Sequence, residues 1–140
     1  MSDPRPTWSP VTLDGGLTPV GAFSSAAVAN GLVFVSGQIP QNPDTGEIEG
    51  HLPFAEQARL TLANLRRAVR ASGSDLPHVV SVAVYLDDIA DWPEFNSIYP
   101  EFFQPPYPAR VVVGANLEKF RVEATAIAVV PETAPAAERA

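Results

Sequence analysis

Arg110 stands at the head of an apolar run, Pro108-Ala109-Arg110-Val111-Val112-Val113. Three consecutive valines read as a buried strand. A guanidinium entering such a strand is costly unless it meets an anion or a rich set of acceptors. Its planar fork matches a carboxylate through two parallel hydrogen bonds. Arg110 is therefore either half of a structural ion pair or the anchor of a small acid. Glu123 poses the complementary question. It lies in Val122-Glu123-Ala124-Thr125-Ala126-Ile127, where a bare carboxylate is also costly. It either pairs with Arg121 or Arg110, points to solvent from an edge strand, or does acid–base work. Asn96, Ser36 and the Gly37 amide complete the set of candidates.

Other chemistries find less support. The chain has no cysteine, which excludes thiol nucleophiles, redox pairs and cysteine-based zinc sites. His51 in a loop and His78 at a strand start fall in no motif with a serine. Asp87-Asp88 with Asp91 reads as capping and solvation before a helix, so no metal site is expected. Gly15-Gly16 and Gly21 lack the spacing and context of a phosphate loop. No cofactor is implied.

The 140 residues amount to one domain, and a 46% hydrophobic content can bury a real core. A net charge of −7 argues against a nucleic-acid partner. Arg66, Arg67 and Arg70 at helical spacing read as one solvated face. No apolar stretch is long enough to cross a membrane. Met1 to Pro10 lacks the basic start and apolar run of a signal peptide, so a cytoplasmic location is expected.

The elements that must position these residues follow from periodicity. Residues 1–18 form an extended, turn-rich lead-in with a short strand near Thr7 to Leu13. Phe23 to Ala29 and Leu32 to Ser36 flank Asn30-Gly31, the strongest short hairpin signal. A two-residue loop sets Ala29 against Leu32 and Ala27 against Phe34. A turn at Asn42-Pro43-Asp44-Thr45-Gly46 follows. Phe54, Ala58, Leu62, Leu65 and Val69 make one helical stripe, opened near Pro53 and stopped at Gly73. His78 to Leu86 is a mostly buried strand. Asp91 and Glu94 are spaced as an N-cap and its partner for a second helix. Pro100 should kink or split that helix. Arg110 to Ala115 and Arg121 to Val130 are two strands joined by Asn116 to Phe120. If they form a hairpin with Ala115 facing Arg121, then Glu123 falls on the face opposite Arg110. A bulge would reverse that parity.

The resulting fold class is α+β, in the order β-β-α-β-α-β-β. The sheet is mostly antiparallel, with two helices packed on one face. A single domain spans residues 1–131, and 132–140 is expected to be a flexible tail. The last strand is apolar or small on both faces, yet the helices can cover only one. A symmetric oligomer with sites between subunits is the simplest cover.

At these residues the chain resembles the Rid family, the reactive intermediate deaminases of YjgF type. The resemblance runs from about Pro19 to Val130. It is carried by Val33-Phe34-Val35-Ser36-Gly37-Gln38-Ile39-Pro40, Asn42-Pro43-Asp44-Thr45-Gly46-Glu47 and Asn96-Ser97-Ile98-Tyr99 with Glu101-Phe102-Phe103. Pro108-Ala109-Arg110 and Val122-Glu123-Ala124 with Ala126-Ile127-Ala128-Val129 complete it. The resemblance implies a chorismate-mutase-like fold and a homotrimer with sites in the clefts between subunits. It also implies hydrolysis of reactive imines or enamines to a 2-oxo acid and ammonia. By the same match Arg110 holds the substrate carboxylate and Glu123 stands near the attacking water. Asn96, Ser36 and Gly37 line the site.

Phe23 stands where the family commonly has a site tyrosine, and Val112 where it often has a cysteine. The stretch with Asn116 and Glu118-Lys119 also departs from the usual pattern. An apolar wall at Phe23 and Val112 favours a bulkier or more apolar substrate, or marks a relative that only binds ligands. The alternatives are thus a non-catalytic binder or sensor of small carboxylates, and a pathway-specific Rid-like enzyme with another substrate. RNA hydrolysis, attributed to some relatives, is opposed by the net charge.

Overall fold

The computed structural model describes residues 7–132. The ends of the lead-in and of the expected tail, residues 1–6 and 133–140, lie outside the described residues. Six strands form one sheet: β1 (Ser9–Val11), β2 (Ala26–Ala29), β3 (Leu32–Val35), β4 (Val79–Leu86), β5 (Ala109–Gly114) and β6 (Val122–Val129). Two α-helices, α1 (Phe54–Ala71) and α2 (Trp92–Ile98), are joined to them by short 3₁₀ turns. The strand order is β1-β2-β3-β6-β4-β5, and only the β4–β5 pair is parallel. The mixed α+β class and the mostly antiparallel sheet are as expected.

The local chemistry is direct. Asn30 (φ 51°) and Gly31 (φ 74°) both take positive φ in the β2–β3 turn. The register sets Ala29 against Leu32 and Ala27 against Phe34. Phe23 precedes β2 rather than lying in it, because the chain bends at Gly21 to Phe23 before pairing begins. All five residues of the α1 stripe are buried. Gly73 ends the helix at φ 89°; Ser74 N–H donates to the Val69 carbonyl and Gly73 N–H to that of Arg70. Those two bonds close a Schellman motif. Pro100 ends α2 at Ile98, and the chain continues as a 3₁₀ turn over Tyr99–Glu101.

Two expectations are overturned. Asp91 does not cap α2 with its side chain. Its carboxylate instead accepts two 2.7 Å bonds from Arg121 Nη2, and Asp88 caps the preceding turn at Ala90 N–H. More consequentially, β5 and β6 are not a hairpin. They flank β4 on opposite sides, β5 parallel and β6 antiparallel to it. The 115–121 connection is long enough to cross over β4, a predominantly apolar strand that lies between them. Parity survives because β4 sets both neighbours. Arg110 and Ala126 are level with Val82, whereas Glu123 and Val113 are level with Tyr85.

The core lies between the helices and one sheet face, where Val82, Val84, Leu86, Val122, Ala124, Ala126 and Ala128 are buried. The opposite face carries Phe34, Ser81, Ala83, Thr125 and Ile127, which line a shallow concavity of about 270 Å³. Val111 and Val113 extend that face, and both are exposed. Among the described residues no helix covers this apolar face.

Candidate active site

Arg110 sits on the helix-covered face of the edge strand β5, beside α2. Its Nη2 donates to Asn96 Oδ1 at 2.8 Å. Its Cζ lies 4.7 Å from the Tyr99 ring centroid and 5.9 Å from that of Phe95. Tyr99 in turn stacks on Phe103 at 4.6 Å and touches Phe95 at 5.7 Å. The guanidinium is thus aimed by a rigid aromatic base and one amide. Such a cation–π contact contributes only about 0.5–1 kcal/mol at an exposed site, so it orients the charge without neutralising it. Burial pushes the Tyr99 phenol up to about 12, against the opposing pull of Arg110. That hydroxyl stays neutral at physiological pH and has no hydrogen-bond partner among the described residues.

The two readings of Arg110 can now be separated within the subunit. Among the described residues the arginine–carboxylate pairs are Arg59–Glu101, Arg70–Asp75 and Arg121–Asp91. Arg110 has a neutral partner and remaining donors that open into a cavity of about 480 Å³. Among the described residues it is a positioned cation without a counter-ion.

Glu123 lies on the other face of the sheet, half-buried. Among the described residues no hydrogen bond or ion pair reaches its carboxylate, so neither Arg121 nor Arg110 is its partner. Burial pushes its carboxyl above the ordinary value of 4.5. Gly37 packs against it: a Cβ there would lie 2.9 Å from Glu123 Cδ and closer still to Oε2. Gly37→Ala therefore displaces the Glu123 carboxylate. The expected result is loss of turnover with the fold retained, read by activity together with circular dichroism.

The Ser36 hydroxyl donates to the Ser24 carbonyl at 2.6 Å, and its N–H to the Ser25 carbonyl. Ser36 thereby staples the chain before β2 to the chain after β3. Phe23 and Gly37 share a narrow cavity of about 120 Å³ with Leu17, Val20, Ile39 and Ile48. Val112 shares the face of Arg110 and packs against the core. The candidates thus fall into two groups. Arg110, Asn96 and Val112 lie at the β5–α2 edge; Glu123, Gly37, Ser36 and Phe23 lie around the β3 end and the open face.

Sequence reasoning missed the residues that hold the second group. Gln57 Nε2 donates to the carbonyls of Gly50 and Leu52, and its Oε1 accepts from Arg121 N–H at 2.9 Å. Asn64 Nδ2 donates to the carbonyls of Ile39 and Gln41. Both side chains are fully buried in α1. They pin the loop after Gly37 and the start of β6, two residues before Glu123. Polar residues inside an apolar stripe were the available signal.

The Endoribonuclease L-PSP family model matches residues 15–130. A "RutC family protein y4sK" from Sinorhizobium fredii is 41% identical over 101 residues, covering 72% of this chain and 79% of that protein. A "2-iminobutanoate/2-iminopropanoate deaminase" from Dermatophagoides farinae is 38% identical over 114 residues, covering 80% and 88%. Among solved structures, E. coli TdcF with bound serine superposes with a TM-score of 0.75 at 32% identity, covering 84% of this chain and 97% of that one. These matches and the motifs around Gly37, Asn96, Arg110 and Glu123 agree, and the chain belongs to the Endoribonuclease L-PSP family, the Rid (YjgF-type) family.

Proposed function

We propose that the chain hydrolyses 2-imino acids, and their enamine tautomers, to 2-oxo acids and ammonia without a cofactor. The observation that carries this reading is Arg110, a cation held by Asn96 and Tyr99 with no carboxylate partner among the described residues. Its free donors suit the substrate carboxylate. The imine carbon is already electrophilic, so positioning and modest acid–base help suffice. A water attacks that carbon and forms a C–O bond while one of its protons passes to the Glu123 carboxylate. The C=N π pair moves to nitrogen, and that proton is passed on to it, giving a carbinolamine. The carbinolamine hydroxyl then gives up its proton, which the same carboxylate relays to nitrogen; the C–N bond breaks as the C=O bond forms, and ammonia leaves the 2-oxo acid. A carboxyl raised by burial is a better base for this than an exposed one.

Arg110 and Glu123 lie on opposite faces of one sheet, so the proposed site joins Arg110 of one subunit to Glu123 of another. The uncovered apolar face beside Glu123 supports a homotrimer with three such clefts. Light scattering at micromolar concentration is expected to give three times the subunit mass; a monomer would remove the shared cleft. The relatives named as imine deaminases support the reaction class. Its test is release of 2-oxo acid and ammonia from imines generated in situ, compared with Arg110→Ala. The binder reading predicts 2-oxo acid binding with no turnover in that assay. A nuclease reading must bring a polyanion to a chain of net charge −7.

A further inference from the structure

We infer that the acid held by Arg110 carries an aryl side chain, which packs on Tyr107. The inference rests on the carboxylate clamp proposed above and adds the substrate's other end. The cavity at Arg110 holds about 480 Å³. That lies within the range of roughly 300–1,000 Å³ that accommodates sizeable ligands. Its polar groups, Arg110 and Asn96, gather at one end. Tyr99, Pro100, Tyr107 and Pro108 wall the rest. Within the subunit, a three-carbon acid on Arg110 would leave most of those walls without contact.

Tyr107 is the ring left free. Tyr99 stacks on Phe103, lies tilted against Phe95 and also receives the guanidinium. Tyr107 is 55% exposed, and among the described residues it has no ring contact and no hydrogen bond. Pro106 and Pro108 flank it. Their fixed φ restricts the backbone that carries the ring, so little ordering remains to oppose binding. A flat ligand ring can stack on Tyr107 with the offset that aromatic pairs prefer, which a branched alkyl chain cannot match.

The experiment is titration calorimetry of the full chain with phenylpyruvate, 4-methyl-2-oxopentanoate and pyruvate. Phenylpyruvate is expected to bind at least tenfold more tightly than either other acid. In Tyr107→Ala that preference falls at least tenfold, and in Tyr107→Phe it is kept. Equal affinities for the three acids, or Tyr107→Ala weakening all three in proportion, would overturn the inference while leaving the clamp standing. If no acid binds, or if Arg110→Ala binds all of them as well as wild type, the clamp falls and the inference falls with it.

Discussion

Arg110→Ala is expected to lower kcat/KM for 2-imino acids by about 10²–10⁴-fold and to remove measurable 2-oxo acid binding. The magnitude follows from two charge-assisted hydrogen bonds of roughly 1.5–3 kcal/mol each, at tenfold per ~1.4 kcal/mol. Arg110→Lys recovers only part of the loss, because an ammonium cannot reproduce the planar fork. The stability loss is expected to be modest. Arg110 is exposed on an edge strand, and the variant gives up one amide bond and two exposed cation–π contacts. That is about 2–3 kcal/mol at most. Steady-state kinetics and thermal unfolding on the same preparation check both statements. Wild-type turnover in the alanine variant would show that the arginine serves some other purpose.

Glu123→Gln separates catalysis from binding. Turnover is expected to fall by about 10²–10⁴-fold, the range for loss of a general base. Affinity for the product-like 2-oxo acid is expected to change far less, since the proposed anchor of its carboxylate is Arg110. The same substitution has a stability signature whose sign is fixed by burial. Burial raises the Glu123 carboxyl above 4.5, so the folded state holds its proton more tightly than the unfolded state. Its contribution to stability is fully present below that ordinary value and is lost as pH rises through the raised one. Wild type is thus penalised at neutral pH for carrying a half-buried anion, and glutamine removes the penalty. The Tm of Glu123→Gln exceeds that of wild type at pH 7, and the difference shrinks toward pH 4. A wild type more stable than the variant at neutral pH would mean that Glu123 has a stabilising partner. Higher stability with lost turnover is the exchange expected where a base is kept desolvated for function.

Much of the fold was legible because short-range chemistry dictated it. Asn30-Gly31 left the β2–β3 turn few conformations, and Gly73 could end α1 in the left-handed region without strain. The α1 stripe and the break at Pro100 follow from helical period and from a missing N–H. Asp91 misled because its spacing to Glu94 imitates a cap; Arg121, thirty residues away, competes for the carboxylate and wins with two short bonds. The pairing of β5 with β4 misled for a similar reason. Two apolar strands with a short connection look like a hairpin, and nothing local reveals that β4 fits between them.

By itself the sequence determined which groups this protein has for chemistry: one arginine and one glutamate inside apolar strands, with Asn96 and Gly37, and no thiol. Residue types and spacing suffice for that, because an ionised group in an apolar run is costly wherever the strand packs. Only the tertiary structure decided how those groups are disposed. It gave Arg110 a neutral partner and an aromatic base, left Glu123 desolvated against Gly37, and put the two on opposite faces of one sheet. Those outcomes depend on β4 entering between β5 and β6, a contact between segments far apart in the chain. Periodicity reports which face a residue takes within its own strand, but it carries no information on which strand lies alongside.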